Sequence, residues 1–122
     1  NTGPFIQYTH ARISSLMRKA EGIRVERTKE AVTMLPEERE VLILCHDADA
    51  VLKKAAAGMS PAHIANYLYE LARAYNTFYQ KIPVLKEEDA DLRSFRLELS
   101  ALCGRILKYY LDLLGIEAPE RM

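Results

Sequence analysis

Apolar positions along this 122-residue chain recur at intervals of three and four, and they never alternate for long enough to make a half-buried strand. In the first segment Ile6, Ile13, Leu16, Met17 and Ala20 share a stripe, while Gln7, Arg18 and Lys19 point elsewhere. This pattern predicts a helix from Pro4 to Ala20. Thr2 suits its cap, Pro4 its first turn, and Gly22 stands just past its end. Residues Ile23 to Leu35 are mixed and read as a connection with room for one helical turn. Pro36-Glu37-Glu38 opens a second helix, since proline and carboxylates both suit a helix amino terminus. Its apolar side holds Val41, Leu42, Leu44 and Cys45. Asp47 and Asp49 mark a break, and a short helix follows, ending at Gly58.

Ser60-Pro61 begins the clearest element, with the serine as cap and the proline in the first turn. It runs to about Gln80, with Ile64, Leu68, Leu71, Ala72, Tyr75, Phe78 and Tyr79 on one face. Pro83 and the charged stretch from Lys86 to Asp91 predict a loop. A last helix from about Ala90 to Leu114 carries Leu92, Phe95, Leu99, Leu102, Cys103, Ile106, Tyr110 and Leu113 as its stripe, and Gly115 ends it as a left-handed cap. The expected fold is all-α, an antiparallel bundle of about five helices.

Size and composition fit one globular domain able to bury about two-thirds of its unfolded surface. Lysines and arginines total 17 and so do the acids, so bulk charge gives no argument for nucleic acid. Local placement does. Arg12, Arg18, Lys19, Arg24, Arg27 and Lys29 cluster early against only Glu21 and Glu26, whereas Glu37, Glu38, Glu40, Asp47 and Asp49 dominate the next stretch. This asymmetry would turn a phosphate backbone towards the first helix, although such a run also reads as a solvated face.

Cys45 and Cys103 both lie in apolar helical patterns, which argues against a disulfide scaffold and fits a reducing cytoplasm. No signal peptide and no membrane-spanning run is evident. His10, His63 and Cys45-His46 lack zinc-ligand spacing, and neither a glycine-rich phosphate loop nor a nucleophile–base pair occurs. The expectation is therefore no catalytic residue, no metal site and no cofactor within these residues.

Three constellations remain. In Gln7-Tyr8-Thr9-His10-Ala11-Arg12, Tyr8 and Arg12 share a helix face. Tyr8 offers a ring for stacking, and Arg12 a guanidinium for phosphate, base edge or ring face. Spacing alone favours a surface pair closing over the bundle rim, and His10 suits helix packing or a hydrogen bond. In Asn66-Tyr67-Leu68-Tyr69-Glu70-Leu71-Ala72, continuing to Asn76-Thr77-Phe78-Tyr79, the rings of Tyr67, Tyr69 and Tyr79 suit an exposed edge or a core position with a polar tip. The third is the ending Gly115-Ile116-Glu117-Ala118-Pro119-Glu120-Arg121-Met122, where Pro119 favours an extended approach.

These motifs, taken in order with the Pro83-Val84-Leu85 loop, resemble the carboxy-terminal anticodon-binding domain of the arginyl-tRNA synthetase family along essentially the whole chain. Residues 1–4 are then the remnant of a junction with the catalytic core, and residues 116–122 are the C-terminal tail. The resemblance implies that Tyr8, Arg12, Tyr79 and Met122 surround splayed anticodon bases of an arginine tRNA. Arg18, Lys19, Tyr67, Asn76 and Arg121 are the weaker RNA-contact candidates. It also implies a partner catalytic core on the same polypeptide, using ATP with Mg to ligate arginine, and neither DNA nor membrane as partner. The class I signatures His-Ile-Gly-His and Lys-Met-Ser-Lys-Ser are absent. Some relatives carry an aromatic just beyond the Tyr79 position, and residues 80–84 here carry none. A helical protein-interaction module is the competing reading, and it predicts binding indifferent to Tyr8 and to the tail.

Overall fold

The computed structural model describes residues 2–23, 32–58 and 61–122. Five helices form over them: α1 (Gly3–Lys19), α2 (Pro36–His46), α3 (Ala48–Ala56), α4 (Pro61–Lys81) and α5 (Ala90–Leu113). Each expected helix is present, with ends within about a turn of those read from the sequence. The expected cap Ser60 and the basic residues Arg24, Arg27 and Lys29 lie outside the described residues. Thr2 holds the cap position of α1 but makes no side-chain cap bond, because its own backbone is already helical (φ −88°, ψ −18°). Asp89 does cap α5, accepting from the amides of Asp91 (2.9 Å) and Leu92 (3.3 Å).

Helix α4 is the centre of the bundle and packs on all four others. Its Leu68, Leu71, Tyr75 and Phe78 are fully buried, each worth roughly 1.5–3 kcal/mol in apolar transfer. Tyr75 keeps its hydroxyl satisfied by donating to Ser100 Oγ (3.0 Å).

The stripe expected on α5 needs correction. Leu113 is half exposed, and Leu92, Phe95, Leu102 and Ile106 are only partly buried. The deeply buried positions are Leu97, Leu99, Cys103, Leu107, Tyr110 and Leu111, together with Arg96, Ser100 and Gly104. The helix contacts α1, α2 and α4 at once, so its buried arc is broad and takes in polar and small positions that an apolar stripe does not mark.

Two of those positions have definite causes. A Cβ on Gly104 would stand 2.9 Å from Cγ2 of Ile13, so the missing side chain is what lets α1 and α5 approach. Gly104→Val is expected to cost about 1–3 kcal/mol by overpacking, read as a lower denaturation midpoint with an unchanged denaturant slope. Arg96 tolerates burial because two of its three nitrogens are partnered, twice by carboxylates. Its Nε donates to Glu38 Oε2 (3.0 Å), and its Nη1 donates to Pro83 O (2.9 Å) and Glu87 Oε1 (2.7 Å). Glu38 is itself fully buried, and its other oxygen accepts from the Leu35 amide (2.8 Å). One guanidinium thus ties the start of α2 and the α4–α5 loop to α5. The Asp89 amide and the Arg96 guanidinium hold the Glu87 carboxyl below the ordinary carboxylate range. Its share of the stability is therefore present above the ordinary carboxylate pKa and lost as pH falls through the lowered one.

Candidate functional site

Helix α1 presents Tyr8 and Arg12 one turn apart on the side facing α4. Arg12 Nη2 donates to the Tyr8 hydroxyl (2.9 Å), and Nη1 donates to Asn76 Oδ1 (2.7 Å). The guanidinium carbon sits 5.0 Å from the Tyr8 ring centroid and 4.5 Å from that of Tyr79, within cation–π range of both. Asn76 is fixed from behind, donating through Nδ2 to Thr9 Oγ1 and to Ala72 O, each at 2.8 Å. Thr9 in turn donates to Phe5 O (2.9 Å). The acceptors behind it thus settle which way the Asn76 amide points, and its carbonyl is left for Arg12.

The tail completes the arrangement. Gly115, at φ +73°, turns the chain out of α5. The Gly115 amide bonds to Asp112 O (3.0 Å) and the Ile116 amide to Leu111 O (2.9 Å), the paired bonds of a Schellman ending. The tail then runs back along α1, whose side chains hold its carbonyls at three points. Gln7 Nε2 donates to Glu117 O (3.0 Å), His10 Nδ1 to Pro119 O (2.7 Å), and Arg18 Nη1 to Glu120 O (3.2 Å). The carbonyl acceptor assigns the proton to Nδ1 of His10.

A cleft of about 420 Å³ results, lined by Tyr8, Arg12, Ser15 and Arg18 of α1, Tyr79 of α4, and Glu120, Arg121 and Met122 of the tail. The four principal residues read from the sequence therefore meet, and Arg18 and Arg121 join them. Met122 is the most open of the four, at 70% exposed. Lys19 is exposed on α1 but does not line the cleft.

Two weaker candidates stand differently. Tyr67 is buried, donates its hydroxyl to Leu44 O (2.6 Å) and packs edge-on against Tyr110. Burial holds its phenol well above the ordinary value, so this ring belongs to the core and is not free to meet RNA. Asn76 is also buried, and its polar atoms are committed to Arg12, Thr9 and Ala72, so it positions the arginine rather than touching a ligand. Sequence reasoning missed the grip of Gln7 and Arg18 on the tail, and for His10 it allowed a hydrogen bond without its partner. The available signal was their helical spacing beside the Tyr8–Arg12 face.

Stacking rings, a clamped guanidinium with donors to spare, and further cations make the cleft suited to a planar, polar, anionic-backed ligand. Among the described residues no group of three or more His, Cys, Asp or Glu is placed to hold a metal ion, and no helix is long and apolar enough to cross a membrane.

Comparison with known proteins identifies the family. The whole chain is 47% identical over 125 residues to a protein named arginine–tRNA ligase from Parabacteroides distasonis, covering 21% of that protein. It is likewise 47% identical over 123 residues to the arginine–tRNA ligase of Flavobacterium psychrophilum, covering 20% of it. The chain thus spans about a fifth of the length of the curated relatives it matches. Thermus thermophilus arginyl-tRNA synthetase superposes with a TM-score of 0.83 at 34% identity, over 98% of this chain and 21% of that one. Residues 6–122 match the family described as the DALR anticodon binding domain, and the chain belongs to that family.

Proposed function

We propose that this chain reads the anticodon loop of an arginine tRNA as the recognition part of an arginyl-tRNA synthetase. The observation that carries the reading is the cleft in which Arg12 lies between the rings of Tyr8 and Tyr79 while the tail brings Met122 to the same opening. Unstacked bases find ring faces there, and each stacked base contributes on the order of 1–3 kcal/mol. Backbone groups of the tail supply acceptors and donors for a pyrimidine edge, and the middle cytosine of the anticodon is the base read most closely. The two free buried cysteines fit a reducing cytoplasm, and the names and lengths of the relatives support a longer polypeptide. Its remaining part would hold ATP with Mg and arginine and carry out the ligation, while this part aligns the tRNA.

The test is a fluorescence titration of the chain with an arginine-tRNA anticodon stem-loop and a matched loop whose middle cytosine is replaced. Tighter binding of the cytosine loop that persists at moderate salt supports the assignment. Equal, salt-labile binding of both loops sinks it for this chain.

A further inference from the structure

Across the ridge formed by the tail, a second groove of about 520 Å³ runs between α1 and α5. Ile13, Met17, Ala101 and Gly104 supply its apolar part, and the charged lining is Arg18, Arg105, Lys108, Glu21 and Glu120. Arg18 and Glu120 line both grooves, so the two adjoin across the Arg18–Glu120 contact. That contact ends on a carbonyl, and Arg18 makes no ion pair among the described residues. Arg105 and Lys108 lie three residues apart on α5, are exposed, and make no ion pair among the described residues. With Arg12, Arg18 and Arg121 they set five cations against the carboxylates of Glu21 and Glu120 around the paired grooves. The whole chain, by contrast, balances at 17 and 17. Glu37, Glu40, Asp47 and Asp49 stand apart on α2 and α3 and line neither groove.

We propose that the α1–α5 groove carries the phosphodiester backbone of the RNA whose bases enter the neighbouring cleft, with Arg105 and Lys108 as its phosphate contacts. This rests on the base-reading assignment above and extends it to residues outside that cleft. RNA fits better than an acidic protein segment because bases seated beside the ridge bring phosphates to it by covalent connection. An acidic peptide would need recruiting on its own account. Contacts to phosphate position the RNA without reading its sequence, and they release counterions, so they are recognised by their dependence on salt.

Arg105→Gln, Lys108→Gln and the double variant would be titrated with the stem-loop and its cytosine-replaced control at several salt concentrations between about 50 and 300 mM. Each single substitution should weaken both RNAs by the same factor, about 2- to 5-fold at low salt. The slope of log affinity against log salt should fall by about 0.7–0.9 for each phosphate contact removed, with the preference for cytosine unchanged. A double variant with unaltered slope and affinity would overturn the proposal. So would a loss of cytosine preference at constant slope, which would make these residues base readers. Binding of poly-glutamate that the double variant abolishes, with the RNA slope intact, would assign the groove to an acidic protein partner instead. If the unaltered chain shows a salt slope that Arg105 and Lys108 control but no cytosine preference, the base-reading assignment fails and the phosphate groove stands. Binding of neither RNA removes both.

Discussion

Arg96→Met should destabilise the fold by about 3–5 kcal/mol, read as a large fall in the urea midpoint. Arg96 is 4% exposed and Glu38 is fully buried, so removing the guanidinium strands a carboxylate with no water to turn to. The Leu35 amide would remain as a partner for Glu38, yet one neutral donor does not balance a buried charge. Glu87 suffers less, since its side chain is 21% exposed and keeps the Asp89 amide. The double variant Glu38→Leu/Arg96→Met should recover much of the loss, because replacing a whole buried pair by apolar groups is often close to neutral. Recovery near zero would show that the lost bonds to Pro83 and Glu87, rather than the orphaned Glu38, dominate the cost.

Arg12→Lys should lower affinity for the anticodon stem-loop by about 5- to 30-fold, equivalent to roughly 1–2 kcal/mol, although the charge is kept. The planar guanidinium reaches Asn76 and Tyr8 on two of its nitrogens while lying near both Tyr rings. An ammonium is a point donor and cannot hold both bonds and both ring faces together. Asn76 Oδ1 would lose its partner and Tyr79 its stacked plane, so the cleft should loosen while the core, built on other residues, stays intact. Titration of the two stem-loops beside a thermal melt separates the effects. Native affinity in the lysine variant would mean that only the charge at position 12 matters.

The helices were readable because punctuation and period agreed: Pro36 and Pro61 at helix starts, Gly115 at an end, and three-four spacing between. The cleft was readable from motif resemblance, since Tyr8, Arg12, Tyr79 and Met122 are separated by up to 114 positions and no local rule joins them. What escaped were partnerships that span helices. Nothing along α5 singles out Arg96 until Glu38 and Glu87 are known to flank it. Tyr67 stays open between an edge ring and a core ring with a polar tip until Leu44 O is found within reach of its hydroxyl. Gly104 likewise goes unmarked until Ile13 is seen pressed against it. In each case burial is decided by a neighbour distant in sequence, which periodicity along one helix does not encode.

The grip of α1 on the tail also has a consequence in time. Gln7 waits for Glu117, a partner 110 residues later in the chain. At about 5–20 residues per second of synthesis, roughly 6–20 s separate the emergence of the two. Through that interval the first helix has left the ribosome with its binding face unfinished. A nascent chain halted anywhere before Glu117 lacks the wall that carries Met122. Such a product should bind the anticodon stem-loop more weakly than a chain that carries the tail.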